Sequence, residues 1–428
     1  MIDQGRMLLD CGVALEHMLL DDIFNPLHLR YTVRLDHAID DDFIREAWEK
    51  TKRVYPILDS VLEFDEGDKT LYLDPAQWEQ HKTDHMYLMK PTSGESHPVK
   101  TKVPVGPDTE AAGNRLIAVS YHDDTIWLSA YHSLVDGSGF HKVLDTFLYT
   151  YLALYTGHED EHPIVELREG RALEDYYVAA GPEFVFAQSY TPVPLYELPP
   201  DCVGFYDDDM VEDEGTIWAG TMHIDSADFM QLCKSNGANP SAMIATLLGR
   251  VAYDLNPDQR EDIVYDFTIS TRNLVGLEES IANCVGIGIS YATRDDIENK
   301  PLAEVAQRIR SELSAQRTHD YFVSLVRDAF TSRRPKDVPV KYRVITYLGT
   351  ISIGDNDKHV LDACFDTNGC RNVYLLEAGD HFVLSVHHGR ATQKYLEGFA
   401  KVFDELGVKA TIACEAHLAD VDAMAPVL

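Results

Sequence analysis

The chain has 428 residues, which predicts about two domains because a single hydrophobic core rarely grows so large. It has 37 lysines and arginines against 71 aspartates and glutamates, a formal net charge of −34, and such a surface disfavours nucleic acid and anionic membranes as partners. Its seven dispersed cysteines form no Cys-x-x-Cys pair, which predicts reduced thiols. No apolar stretch is long enough to cross a membrane, so we expect a cytoplasmic protein with no membrane span and no signal peptide.

The first periodic segments lie within residues 27–58. Apolar and polar residues alternate over 27–35, which predicts a half-buried strand. The acidic run 40–42 then offers N-capping carboxylates to a helix that ends before Pro56. The chain is therefore predicted to open with a strand, a helix and extended segments.

Residues 116–132 predict a β-hairpin. Apolar residues at helical spacing follow over 140–152, and Gly157 marks the expected end of that helix. His132 therefore ends a strand, and residues 136–137 lie in the turn that leads into the helix.

An acidic, proline-rich segment predicts the domain boundary. Residues 201–214 contain seven acidic residues and no lysine or arginine, and four prolines lie between 192 and 200. This composition is typical of a linker or crossover. The predicted division is a first domain over 1–180, a linker over 181–214 and a second domain over 215–428.

The second half repeats the mixture of strands and helices. Strands are predicted near 221–224, 263–269, 285–292, 342–349 and 359–365, with a hairpin over 371–387. Helices are predicted near 226–235, 240–253, 301–316, 320–330 and 391–406. Two such halves favour an α+β fold (an α/β sandwich) of two packed domains, each with a mixed sheet and helices.

His132 is the strongest candidate for chemistry. A histidine at the rim of a sheet, just before a glycine-rich turn, can reach a substrate and accept a proton near neutral pH. Asp136 could order the turn or pair with a cation, and Gly137 permits close approach of a substrate or another segment. The spacing alone leaves a packed histidine and a capping aspartate equally open, and a metal site here lacks a third ligand.

One segment is similar to a known signature, Tyr131-His132-Ser133-Leu134-Val135-Asp136-Gly137. It resembles the His-x-x-x-Asp-Gly pattern of the chloramphenicol acetyltransferase-like superfamily, which includes peptide condensation domains, plant BAHD acyltransferases and alcohol acetyltransferases. The likeness extends over nearly the whole chain, through Tyr55–Leu58, Thr268–Asn273, Ile281–Gly286 and Tyr347–Thr350. Tyr131 replaces the first histidine of the double-histidine form, and the Asp-Phe-Gly-Trp-Gly motif of plant BAHD enzymes is absent.

The resemblance implies two chloramphenicol acetyltransferase-like domains with the active site in a tunnel between them. His132 would be the general base that helps a hydroxyl or amine acceptor attack a thioester, without an acyl-enzyme. Asp136 would pair with Arg272 across the domain junction and shape the site, and Gly137 would leave room for substrate. The donor would be an acyl-CoA or the phosphopantetheine thioester of an acyl carrier protein, with no tightly bound cofactor.

Arg333, Arg334 and Lys336 form the densest basic cluster of this acidic chain. We expect them to receive the donor's phosphates at the tunnel entrance, although an exposed loop is the commoner explanation for such a run. No metal site is expected, since the adjacent His387 and His388 of a predicted strand point to opposite faces.

Three functions stay open from the sequence. The first is an acyltransferase that uses acyl-CoA and a small-molecule acceptor. The second is a stand-alone condensation enzyme that takes its acyl group from a carrier protein, and the third is a catalytically silent binding module of the same fold. Intact His132 and Asp136 argue against the third. A monomer is expected.

Overall fold

The computed structural model describes residues 7–8, 28–64, 87–91, 96–107, 109–132, 134–160, 163–206, 217–331, 341–367, 369, 371–390 and 392–418. Within these residues, strands and helices build two units, each around a mixed sheet. None of the helices described is both long and apolar enough to cross a membrane.

The first half of the chain begins with strands and two long helices. Its strands are β1 Met7–Leu8, β2 His28–Leu35, β3 Ser60–Phe64, β4 Tyr87–Pro91, β5 Val99–Lys100, β6 Ile117–His122 and β7 Thr125–Tyr131. Its helices are α1 Asp41–Val54, α2 Gly137–Thr156, α3 Leu173–Tyr176 and α4 Pro182–Phe186, with a 3-10 turn at Pro56–Asp59. The Asp40 carboxylate caps α1, and Gly157, at a φ of 66°, ends α2 in the left-handed conformation that glycine adopts most readily.

The second half is longer and richer in helix. Its strands are β8 Trp218–Asp225, β9 Ile263–Ser270, β10 Val285–Ala292, β11 Tyr342–Thr350, β12 Val360–Thr367, β13 Asn372–Ala378, β14 His381–His388 and β15 Ala410–Leu418. Its helices are α5 Ser226–Ser235, α6 Pro240–Leu255, α7 Arg272–Val275, α8 Arg294–Asn299, α9 Leu302–Gln316, α10 His319–Thr331 and α11 Lys394–Glu405, with a 3-10 turn at Gly354–His359.

The strands form two principal sheets. The first has the order β12-β2-β7-β6-β5, and the second has the order β10-β9-β11-β13-β14-β8-β15. Strand β11 runs parallel to both of its neighbours in the second sheet, whose other pairs are antiparallel. Strands β1, β4 and β3 form a third, smaller sheet. The predicted α+β class with two mixed sheets is confirmed.

Strand β12 crosses between the units. It comes from the second half of the chain but pairs antiparallel with β2, so that Asp366 lies opposite Arg30 in the first sheet. Pairing there satisfies backbone groups that an open edge of β2 would leave exposed. Residues 360–367 therefore belong to the first sheet. The predicted domain boundaries stay predictions.

The core of the first unit lies between its sheet and the helices α1 and α2. The predicted strand β2 is present, and its apolar residues Leu29, Tyr31, Val33 and Leu35 are all buried. The predicted alternation holds only toward the end of the strand, because His28 and Arg30 on the opposite face are buried as well. The rings of Trp48 from α1 and Phe147 from α2 meet edge to face, with centroids 5.7 Å apart. This packing holds α2, and hence the turn before it, against the sheet.

Replacing Phe147 by alanine tests that packing. The side chain is fully buried, so Phe147→Ala should lower the free energy of unfolding by about 3–5 kcal/mol through lost burial and the cavity left behind. Met230→Ala, at an exposed position of α5, is the control and should change it by less than about 0.5 kcal/mol. Denaturant titrations followed by circular dichroism measure both, and equal effects would contradict this account of the core.

Candidate active site

His132 lies where the two units meet. Strand β7 ends at Tyr131, so His132 is the first residue beyond the strand, at the rim of the first sheet. Its backbone carbonyl accepts a hydrogen bond of 3.2 Å from the Asn283 side chain, which comes from the loop between α7 and β10. A contact from the second unit thus helps to fix the backbone at His132.

The surroundings of His132 favour a neutral imidazole. The side chain is half-buried and its Nδ1 atom is shielded from solvent. Burial lowers the pKa of His132, while backbone groups at His132 and Val135 and the Asp136 carboxylate oppose this effect only in part. A neutral imidazole at neutral pH is a proton acceptor, which is the state that a general base requires.

Asp136 and Arg272 form a buried, two-pronged ion pair across the junction. The two guanidinium nitrogens donate to the two carboxylate oxygens over 2.8 and 3.0 Å, and both side chains are almost fully buried. The carboxylate also accepts hydrogen bonds from the backbone amides of Gly139, at 2.8 Å, and Cys284, at 2.7 Å. Asp136 is thereby also the N-cap of α2. The pair that the sequence predicts is present.

The remaining donors of Arg272 bind the loop that follows α7. Its Nε donates to the Ser280 carbonyl over 2.7 Å, and its Nη2 donates to the Ala282 carbonyl over 2.6 Å. Burial lowers the pKa of Arg272, but the Asp136 carboxylate outweighs burial and the net pKa is raised. The guanidinium therefore stays charged and ties this loop to the start of α2.

Two glycines begin α2, and they differ in how closely the second unit approaches. A Cβ added at Gly137 would lie 2.9 Å from the end of the flexible Leu348 side chain. A Cβ added at Gly139 would lie 2.0 Å from the backbone carbonyl oxygen of Ile281, which cannot move without its loop. Gly139 is thus the position of closest approach. Sequence reasoning selected Gly137 and missed Gly139, whose only signal was the glycine-rich turn.

The other predicted site residues lie elsewhere. Arg333, Arg334 and Lys336 fall outside the described residues, so their donor-binding role stays a prediction. His387 and His388 are fully buried and point apart as expected, since the His387 ring packs near Tyr374 and the His388 ring near Tyr395, with centroids 5.1 and 5.5 Å apart.

Sequence comparisons identify no relative of this chain. No protein-family model matches it, and no curated protein matches its sequence.

Solved structures, in contrast, share its fold over nearly the whole length. Polyketide synthase associated protein 5 from Mycobacterium tuberculosis has a TM-score of 0.59 at 15% identity, over 93% of this chain and 98% of that one. TRI101 of F. sporotrichioides, complexed with coenzyme A and T-2, has a TM-score of 0.60 at 10% identity, over 94% and 99%. The first condensation domain of the calcium-dependent antibiotic synthetase has a TM-score of 0.63 at 13% identity, over 94% and 96%. The chain therefore shares the two-domain α+β fold of these proteins, which is the fold that the resemblance in sequence implies.

Proposed function

We propose that the protein is an acyltransferase that moves an acyl group from an acyl-CoA to a hydroxyl or amine acceptor, with His132 as the general base. The observation that carries this proposal is the position of His132 at the junction of the two units, held by Asn283 and followed by the buried Asp136–Arg272 pair. The likeness in fold to TRI101, which was crystallised with coenzyme A, supports a thioester donor.

The proposed reaction needs a single proton acceptor. The neutral imidazole of His132 takes the proton of the acceptor as its oxygen or nitrogen attacks the thioester carbonyl. When the carbon–sulfur bond breaks, the proton passes from His132 to the departing thiolate. The acyl group moves directly to the acceptor, and the imidazole returns to its neutral state.

In this proposal Asp136 and Arg272 position the site and do not contact the reacting atoms. Both carboxylate oxygens are already engaged by Arg272 and by the backbone amides of Gly139 and Cys284. Their effect on chemistry is indirect, because they fix the backbone on either side of the junction.

A carrier protein is the second candidate source of the acyl group. The likeness in fold to a condensation domain of an antibiotic synthetase favours it. Both donors present the same phosphopantetheine thioester, and Arg333, Arg334 and Lys336 stay our proposed contacts for its phosphates. Parallel assays with free acyl-CoA and with acyl groups on a carrier protein distinguish the two donors.

Replacing His132 tests the assignment of the base. His132→Ala and His132→Gln should lower kcat by about 10²–10⁴ because no group then accepts the proton. Mass spectrometry of acyl-CoA mixed with panels of alcohols and amines identifies a substrate pair, and steady-state kinetics follow. His158→Ala, at an exposed histidine, is the control and should retain wild-type kcat. A His132→Ala enzyme that folds normally and keeps wild-type kcat would rule out this base.

The pH profile tests the protonation state. Since burial lowers the pKa of His132, kcat/KM should be on its plateau at pH 7 and fall with acidification, with a midpoint below the ordinary histidine value of about 6.5. The falling limb reflects protonation of the base in the free enzyme. A midpoint above pH 7 would contradict the neutral, half-buried imidazole described above.

The positioning role of Asp136 predicts a loss of stability. Asp136→Ala leaves the Arg272 guanidinium buried without its counter-ion, and it should lower the free energy of unfolding by about 3–5 kcal/mol. The matched control is Glu405→Ala, which breaks a more exposed pair with Arg250, 3.0 Å long, and should cost less than about 1 kcal/mol. Denaturant unfolding measures both variants, and wild-type stability in Asp136→Ala would refute the role.

A further inference from the structure

Three side chains converge where the two sheets meet, away from His132. They are His223 of β8, Asp362 of β12 and His381 of β14. The Nε2 atoms of His223 and His381 lie 3.2 and 3.5 Å from the same carboxylate oxygen of Asp362, and all three ligand atoms lie within 4.8 Å of one another. Each side chain is partly buried.

Strand register explains the convergence. In the antiparallel β8–β14 pair, His223 is opposite Val383 and His381 is opposite Asp225, so the two histidines are diagonal neighbours on one face. Asp362 reaches them only because β12 has crossed into the first sheet, where it lies opposite Arg34 of β2. The cluster therefore takes ligands from both sheets.

A second carboxylate orients one of the histidines. The Nδ1 of His381 lies 3.1 Å from the Asp380 carboxylate, which favours the tautomer that carries its proton on Nδ1. Without a metal ion, Nε2 hydrogen-bonds with Asp362, and a bound ion would displace the Nε2 proton and take its place beside the carboxylate and His223. A carboxylate behind the distal nitrogen is the usual arrangement for a histidine that binds a metal ion.

The spacing and chemistry of the three donors also suit a metal. Two ligands of a tetrahedral ion with bonds of about 2.0–2.1 Å lie about 3.3 Å apart, close to the 3.2 and 3.5 Å measured to Asp362. One carboxylate oxygen of Asp362 faces both histidines and is available as a ligand. Two imidazoles and a carboxylate form a common ligand set for zinc and similar ions.

We propose that His223, Asp362 and His381 bind one divalent transition-metal ion of the zinc type, with water completing its coordination. The ion would link β12 of the first sheet to β8 and β14 of the second. This site is separate from the proposed acyl transfer and does not depend on it.

Two other histidine–carboxylate clusters in the described residues provide a comparison. One is formed by Asp36, His37 and His359, and the other by His158, Asp160 and Asp355. In the second, the His158 and Asp355 side chains are 55% and 76% exposed, whereas His381 is 15% exposed. That cluster has the same residue types but is more exposed to solvent, so His158 is a matched control position.

The test is a metal titration of the untagged, full-length protein after removal of metal ions. We expect one tightly bound Zn²⁺ per chain by calorimetry, and a rise in melting temperature when Zn²⁺ is added. Co²⁺ should give the visible absorption of a four-coordinate nitrogen and oxygen site, without a thiolate-to-cobalt charge-transfer band.

Substitutions test which residues bind the metal ion. Asp380→Asn should weaken Zn²⁺ binding about 10–100-fold, as changes behind a ligand typically do, and His223→Gln, His381→Gln and Asp362→Asn should each weaken it more. Asp362→Asn conserves the shape of the side chain, and circular dichroism of every variant checks that it is folded. His158→Ala should bind Zn²⁺ like the wild type.

Several outcomes would overturn the proposal. One is the absence of saturable Zn²⁺ binding, and another is unchanged binding in a folded His223→Gln/His381→Gln double variant. The others are loss of the tight site in His158→Ala and a thiolate band with Co²⁺. The cluster would then be a hydrogen-bonded His–Asp–His group. Because no acyl substrate enters these measurements, they succeed or fail independently of the role of His132.

Discussion

One buried ion pair joins the two halves of this molecule. Burying a carboxylate and a guanidinium is costly unless their hydrogen-bonding capacity is filled. Asp136 is satisfied by Arg272 and two backbone amides, and Arg272 also binds two carbonyls of the 280–284 loop. Helix α2, the loop before β10 and the short helix α7 must therefore keep their relative positions. The backbone of His132 lies inside this frame, and Asn283 of the same loop holds its carbonyl.

Local periodicity predicted most of the framework, because burial on one face leaves a pattern in the residues of that face. The apolar face of β2, the apolar stripe of α2 and the bounds of β10 and α5 all follow from it. Segments with less burial left little pattern, and the predictions therefore missed β15 and the short helices α3 and α4. That 360–367 is a strand was predictable, but its partner was not, since pairing with β2 depends on an edge formed far away in the chain.

The residues of the candidate site were likewise predictable only in part. Strand-end placement made His132 a candidate, the turn that follows made Asp136 one, and the resemblance to a known signature added Arg272 as the partner of Asp136. The tight approach at Gly139 was hidden because it depends on a carbonyl oxygen of Ile281 in the other unit. The cluster of His223, Asp362 and His381 was equally invisible, since its members are distant in sequence and meet only through the crossing of β12.

The crossing of β12 also has a consequence for the order in which the protein can assemble. Residues 28–35 leave the ribosome long before residues 360–367, so the first sheet is incomplete for most of the time the chain takes to be made. During that interval β2 has an unpaired edge, which is the kind of surface that attracts other strands and promotes aggregation. The N-terminal half thus lacks one edge strand of its sheet for most of translation. Its sheet closes only when the C-terminal half delivers the missing strand.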